Sequence, residues 1–171
     1  MMTTRPRDAR RGDAYLAEEL AFEGTTLGER PGGPALRAAA QAALTSGWWR
    51  AEVGDPALVR RIHVRSAGDS HWAPSTGTLA VDPAESWFVV THELAHVADC
   101  GGGAVHGARW RGWDVVLTAA VFGEAFGRRL ARSFADLGLE IEPMSSVPPP
   151  EPLWPVVAAD RSRRGGWRPA G

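Results

Sequence analysis

Apolar residues recur at three- and four-residue spacing, the period of an amphipathic helix, in four stretches of the chain. The first two cover residues 13–24 and 34–47. The third covers residues 83–99, where Asp82 is placed to cap the helix and a proline occupies its first position. The last covers residues 108–137 and includes glycines at which it can bend or break. The pattern therefore predicts four helices.

Two shorter stretches have the character of strands. Residues 58–66 place alternate side chains on opposite faces, as in a half-buried strand, and Gly68 and Asp69 can then turn the chain. A second strand is predicted at residues 78–81. Strands and helices in one chain indicate an α+β fold, with a small antiparallel or mixed sheet packed against the helices.

Length and composition favour one domain with a tail at each end. The chain has 171 residues, and a typical domain has roughly 150. We expect a flexible N-terminus at residues 1–12 and a domain at residues 13–142. Residues 143–171, rich in proline, arginine and glycine, are expected to form a disordered tail.

Charge and cysteine content exclude several classes of function. The formal net charge is −1, which provides no field for holding nucleic acid or anionic lipid, so we expect neither as a partner. The single cysteine excludes an internal disulfide framework and a zinc site built from several thiolates. No apolar run is long enough for a membrane helix, and no secretory signal is recognisable. We therefore expect a cytoplasmic protein.

The segment His92-Glu93-Leu94-Ala95-His96 has the HExxH pattern and lies within the third predicted helix. One helical turn brings His92 and His96 to the same face, where both imidazoles can bind one metal ion. Glu93 lies about 100° around the helix and can act as a general base on a metal-bound water. With five histidines and eleven glutamates in the chain, about 0.01 occurrences of the HExxH pattern are expected by chance. The pattern therefore predicts a Zn²⁺ site.

The third ligand has two candidates. The metzincin arrangement is excluded, because Gly102 stands six residues after His96 where that class has a histidine. His106 follows a glycine-rich loop just before the fourth predicted helix and is the favoured ligand. Glu124 is the rival, since a glutamate on a later helix completes thermolysin-type sites.

Two neighbours of the motif have weaker functional readings. Asp99 is a possible outer partner for a ligand histidine, although a role at the solvated end of the helix is the simpler reading. Cys100 is in principle a metal ligand, but a small buried residue is the expected role.

Five segments together carry a resemblance to known metallohydrolases: residues 15–19, 63–64, 77–81, 92–96 and 106–107. In these the chain resembles zincin-type metallohydrolases, and more narrowly a small family from actinobacteria and their phages. The stretch that begins at His106 is also similar to the pattern of SprT-like metalloproteases. Val97 departs from the small family, where we expect a further histidine. The resemblance implies a zincin-like domain in which residues 78–81 form an edge strand that pairs with an extended peptide.

The sequence thus predicts a zinc-dependent hydrolase, in first place a metallopeptidase acting on a peptide or protein. His92, His96 and His106 are the expected ligands, and Glu93 is the expected general base. Two alternatives remain open: a non-enzymatic zincin-like domain with a structural or regulatory metal, and a SprT-like protease associated with DNA.

Overall fold

The computed structural model describes residues 11–66, 68–99 and 105–156 of the chain. In that part of the chain, an α+β domain is built from six α-helices and a three-stranded sheet. In chain order, the elements are α1 (Arg11–Phe22), α2 (Gly33–Thr45), α3 (Gly47–Glu52), β1 (Arg61–Val64), β2 (His71–Ala73), β3 (Thr78–Val81), α4 (Val89–Ala98), α5 (Ala108–Phe122) and α6 (Glu124–Asp136).

The sheet is mixed, with strand order β1-β3-β2. Strand β3 runs parallel to β1, with Ile62 opposite Leu79, and antiparallel to β2, with Trp72 opposite Leu79. The predicted small sheet packed against helices is therefore confirmed in its mixed form. The prediction that residues 78–81 form an edge strand is wrong. All four residues of β3 are buried and the strand is paired on both sides, so β1 and β2 are the edges of the described sheet.

The helix predicted for residues 83–99 begins later than expected, at Val89. The Asp82 carboxylate accepts a hydrogen bond from the Ala84 N–H at 2.8 Å, and the Asp82 carbonyl accepts one from the Glu85 N–H at 3.1 Å. These bonds close a local turn, because an aspartate side chain can satisfy nearby backbone donors without a helix. The Asp82 side chain therefore forms the kind of hydrogen bond expected of a helix cap, but the segment that follows is a turn.

Elsewhere the helical prediction needs two changes. The stretch at residues 108–137 divides into α5 and α6 at Gly123. The φ of Gly123 is 117°, a value that glycine adopts easily and that strains other residues. Gly47, the predicted last residue of the second helix, is instead the first residue of the short helix α3. The Ser46 hydroxyl caps α3 by accepting from the Trp49 N–H at 3.0 Å.

The helices pack around a core that lies between α4, α5 and α6 and extends to the inner face of the sheet. Helix α5 packs against both α4 and α6, α6 packs against α1, and α2 covers β1. The largest fully buried apolar side chains of this core are Phe22, Leu27, Leu36, Trp49, Leu79, Leu94, Trp110, Leu117, Leu130 and Phe134.

Residues 143–156 lie within the stretch that the sequence assigned to a tail. They form no helix or strand, but they contact the domain at several points. The backbone N–H groups of Leu153 and Trp154 donate to the last turn of α5, at 2.9 and 2.8 Å. The Trp48 indole donates to the Val147 carbonyl at 2.7 Å. Residues 157–171 and 1–10 lie outside the described residues, and Arg11 and Gly12 belong to α1.

Among the described residues, no helix combines the length and the apolar character that crossing a membrane requires.

Substituting Gly127, at the contact of α6 with α5, tests this packing. A Cβ there would lie 2.6 Å from the Ala119 Cβ and 2.9 Å from the Val115 carbonyl oxygen. Neither atom can swing away, so we expect Gly127→Ala to lower the free energy of unfolding by about 1–3 kcal/mol in urea denaturation. Gly12→Ala in α1, where no atom lies within 4 Å, is the control and should change it by less than about 1 kcal/mol. Equal effects of the two variants would contradict the tight contact.

Candidate metal centre

Helix α4 presents His92 and His96 on one face, as the spacing predicts. Their ring centroids are 5.2 Å apart, and both rings lie against the indole of Trp110 on α5, at 4.7 and 5.2 Å. His92 is buried, whereas His96 is partly exposed. The pair therefore has an apolar floor and an approach from the His96 side.

His106 completes the cluster from the start of α5. Its backbone has a φ of 59°, an uncommon value for a residue with a side chain. The buried guanidinium of Arg111 donates to the His106 carbonyl oxygen and to that of Glu140, which fixes this turn against the following segment. The ring lies 5.1 Å from His92 and 4.7 Å from His96, measured between centroids.

The three imidazoles fit a single metal ion. One ring nitrogen from each lies within 4.8 Å of the others, and the Nε2 atoms of His92 and His106 are 3.2 Å apart. Tetrahedral zinc with Zn–N bonds of about 2.0–2.1 Å separates its nitrogen ligands by about 3.3 Å. The spacing of these two nitrogens therefore matches an edge of such a site.

The protonation state of His92 also suits a ligand. Burial lowers the pKa of His92 from 6.5 to about 3, so its imidazole is neutral near pH 7. Its Nδ1 lies 2.8 and 3.0 Å from the two carboxylate oxygens of Glu18, on α1. Burial raises the pKa of Glu18 well above its usual range. In its ionised form the carboxylate only accepts, so Nδ1 then carries the proton and the lone pair is left on Nε2, facing His106. The ionised Glu18 thus favours the tautomer that metal binding requires.

Glu93 is buried beside the cluster, 2% exposed, with Oε1 4.0 Å from the Nε2 of His92. Its Oε2 has no hydrogen-bond partner among the described residues. Burial, reinforced by the charge of Glu18, raises the pKa of Glu93 from 4.5 to about 8, although a backbone hydrogen bond from Trp72 opposes the rise. An unsatisfied buried carboxyl group with a pKa near neutrality has the properties of a general acid or base.

Tyr15 of α1 also packs against the cluster. Its ring stacks on His92 at 4.7 Å with an interplanar angle of 23° and lies 5.8 Å from His106. Burial raises the pKa of the phenol, which also receives a hydrogen bond from Arg11. The half-buried ring therefore packs on His92 beside the cluster.

The other predicted residues lie apart from this cluster. The Asp99 carboxylate pairs with the Arg109 guanidinium at 3.1 Å, an arrangement typical of a helix end. The Glu124 side chain is 75% exposed and pairs with Arg128 one turn later on α6. Of the two candidate third ligands, the structure thus brings His106 to His92 and His96. Cys100 lies outside the described residues.

Sequence reasoning missed two buried acidic residues, one of which, Glu18, contacts the cluster. Glu18 lies on the buried face of α1 with Ala14 and Ala21, and Asp114 lies on the buried face of α5 with Trp110. Both are fully buried. The available signal was the same in each case, because a carboxylate in phase with the apolar positions of a helix requires a buried partner.

Comparison of the chain with protein-family models, curated proteins and solved structures finds no match. The geometry of these residues is therefore the basis for assigning a function.

Removing Glu18 should weaken metal binding without removing a ligand. Loss of a carboxylate that orients a ligand histidine typically costs 10–100-fold in metal affinity, so we expect Glu18→Ala to bind Zn²⁺ about 10–100-fold more weakly. Competition with a chromogenic chelator measures the affinity. Glu19→Ala, an exposed position on the same helix, should leave it unchanged. Equal affinities for Glu18→Ala and the unsubstituted protein would refute the role of Glu18.

Titration of Glu93 should appear in the stability of the metal-free protein. The folded state holds its proton between about pH 4.5 and about 8, whereas the unfolded chain releases it near 4.5. The contribution of Glu93 to stability is therefore complete below that window and falls as the pH rises through it. Relative to the unsubstituted protein, Glu93→Gln should gain stability as the pH rises. Urea denaturation in chelator at about pH 5 and about pH 8 measures this gain. A difference that does not change with pH would contradict the raised pKa.

Proposed function

We propose that the chain is a zinc-dependent hydrolase acting on peptides or proteins. The observation that carries the proposal is the approach of the His92 and His106 Nε2 atoms to 3.2 Å beside the buried carboxyl group of Glu93. Two nitrogen lone pairs facing each other at this distance require a shared cation or proton. Zinc is the metal that this donor set suits, since it prefers neutral imidazoles in a tetrahedral arrangement.

In this proposal His92, His96 and His106 hold the zinc. When bound, the ion polarises a substrate carbonyl group and lowers the pKa of water. Three protein ligands would leave the ion open to water or substrate. His96 is the ligand that is partly exposed to solvent.

Glu93 is the proposed general base that transfers the proton of the attacking water. A nearby divalent cation favours the ionised form of a carboxyl group, so metal binding would bring the pKa of Glu93 down from its value of about 8. The ionised Oε2, which has no described partner, is placed to take a proton from the attacking water and return it to the leaving amine. The nearby backbone of Trp72 favours the ionised form of the same carboxyl group, since it opposes the rise of the Glu93 pKa.

Strand β2 supports a peptide as the substrate. It lies at an edge of the described sheet and against α4. The backbone of Trp72 lowers the pKa of Glu93, which indicates that this strand lies beside the proposed base. An extended peptide can add to an exposed strand edge through backbone hydrogen bonds, which would bring a scissile carbonyl group to the cluster.

Glu93→Gln tests the mechanism. The variant should keep one zinc per chain and lose about 10²–10⁴-fold in kcat, the usual contribution of a general base. A quenched-fluorescent peptide library measures hydrolysis, and elemental analysis measures zinc. Glu124→Gln, at the rejected ligand position, should retain both. Unchanged hydrolysis in Glu93→Gln would refute the mechanism, and absence of hydrolysis by the unsubstituted protein across the library would refute the substrate class.

A closed, structural metal site is the competing outcome. Cobalt substitution separates the two, because thiolate ligation adds an intense near-ultraviolet charge-transfer band and a fourth protein ligand removes the exchangeable water. We expect a spectrum without that band, unchanged in Cys100→Ser. A thiolate band that disappears in Cys100→Ser would favour the structural role.

A further inference from the structure

The guanidinium group of Arg111 lies where neither burial nor the helix dipole favours a cation. Arg111 is 6% exposed and belongs to the first turn of α5. The N-terminus of a helix is the positive end of its dipole, so a cation there is unfavourable, and burial adds a desolvation cost. Such a group needs hydrogen-bond acceptors that compensate both costs.

Two backbone carbonyl groups accept hydrogen bonds from Arg111, and they come from opposite sides of the α5–α6 pair in sequence. The Arg111 Nη1 donates to the His106 carbonyl oxygen at 2.5 Å, and the Nε donates to that of Glu140 at 2.6 Å. His106 precedes α5, whereas Glu140 follows α6. One planar guanidinium group therefore joins the third proposed ligand to the chain that follows α6.

The 139–144 segment, which includes Glu140, is itself held against the start of α5. It forms no helix or strand, but the Glu142 N–H donates to the Ala108 carbonyl oxygen at 2.9 Å. Gly112 permits the close approach, because a Cβ there would overlap the Glu142 carbonyl oxygen and lie 3.1 Å from the Met144 Cε. The acceptor that Glu140 offers to Arg111 is therefore fixed relative to α5.

His106 has a backbone conformation that requires support. Its φ of 59° lies in the left-handed region, where Cβ is crowded against the backbone. A residue with a side chain persists there only when its surroundings hold it. The backbone of His106 decides where its ring lies, so the hydrogen bond to its carbonyl oxygen helps to set the 3.2 Å separation of its Nε2 from that of His92.

We propose that Arg111 is a positioning residue of the metal centre: it ties the His106 carbonyl oxygen to the docked 139–144 segment and so keeps His106 in the left-handed conformation. The role in metal binding rests on the proposed function, whereas the hydrogen bonds themselves do not. The affinity of the cluster for a metal ion therefore depends on a segment after α6 that contributes no ligand.

A double-mutant cycle tests whether Arg111 acts through His106. Arg111→Met removes both hydrogen bonds and keeps an apolar side chain. We expect it to bind Zn²⁺ about 10–100-fold more weakly, the usual loss when a residue that orients a ligand is removed. In a His106→Gly background, which lacks the ligand and adopts a positive φ without strain, the same substitution should change the affinity by less than about threefold. Competition with a chromogenic chelator measures all four proteins. An equal loss in both backgrounds, or no loss in either, would overturn the proposal.

Two buried glycines provide a matched pair of variants. Gly112→Ala and Gly127→Ala each place a Cβ against a backbone carbonyl oxygen, but only the first displaces the 139–144 segment. We expect Gly112→Ala to bind Zn²⁺ about tenfold more weakly or worse, and Gly127→Ala to stay within about threefold of the unsubstituted protein. Equal zinc affinities for the two variants would count against a role for the segment.

A measurement on the metal-free protein separates this proposal from the proposed function. The Trp110 indole, 4.5 Å from the His106 ring between centroids, should displace the NMR resonances of the His106 ring protons, which His106→Gly assigns. Arg111→Met should move these resonances towards those of an exposed histidine. Arg111→Lys, which keeps the charge without the planar pair of donors, should move them in the same direction. Arg109→Met, which removes the exposed partner of Asp99, should leave them in place. Unmoved resonances in both Arg111 variants would overturn the proposal. Failure of the unsubstituted protein to bind zinc would instead contradict the proposed function, because the resonances still report what holds His106.

Discussion

The hydrogen bond between His92 and Glu18 is the constraint around which the interior of this protein is arranged. It joins α4 to α1 across 74 residues of sequence, with both side chains 1% exposed. A carboxylate and an imidazole of this kind are costly to bury unless each satisfies the other. Helix α1 therefore has one place where it can dock, with Glu18 over His92, and α6 then packs against its other side.

The same constraint accounts for the aromatic residues around the cluster. Trp110 and Tyr15 both pack against the His92 ring, at 4.7 Å each between ring centroids. Aromatic rings around a buried hydrogen bond lower the local polarity, which strengthens the bond. His96 lacks this enclosure on one side, since it is partly exposed. One ligand is thus rigidly fixed, and another lies at the approach to solvent.

Local chemistry made part of this arrangement predictable. The spacing of His92 and His96 fixes their shared face once the segment is helical. The short connection between α4 and α5 keeps His106 close to them, which made its place in the cluster predictable. The strand at residues 78–81 was found from its own composition, but its central position was not, because pairing partners depend on the whole sheet. Strand β2 has only three residues, too few for a recognisable alternation. The Asp82 turn was misread as a cap because both structures use the same side-chain hydrogen bond.

The distant residues of the site were beyond such reasoning for a physical reason. Glu18 and Asp114 lie far from the motif in sequence, and each is recognisable only as an acid in an apolar phase. A position on the apolar face of a helix indicates that a residue is buried. Which polar group it meets there depends on how the helices pack together. Burial therefore pointed to these two residues without revealing which polar group each would meet.

The electrostatics of the interior explain why metal binding and folding should be linked. The metal-free site holds Glu93 and Asp114 with pKa values raised by burial, and His92 with a pKa lowered by the same cause. All three shifts favour neutral forms, which lowers the cost of burying these groups before the metal arrives. A divalent cation then stabilises the ionised form of Glu93, which must release its proton as the ion binds. The affinity for zinc should therefore rise with pH until Glu93 is already ionised in the free protein.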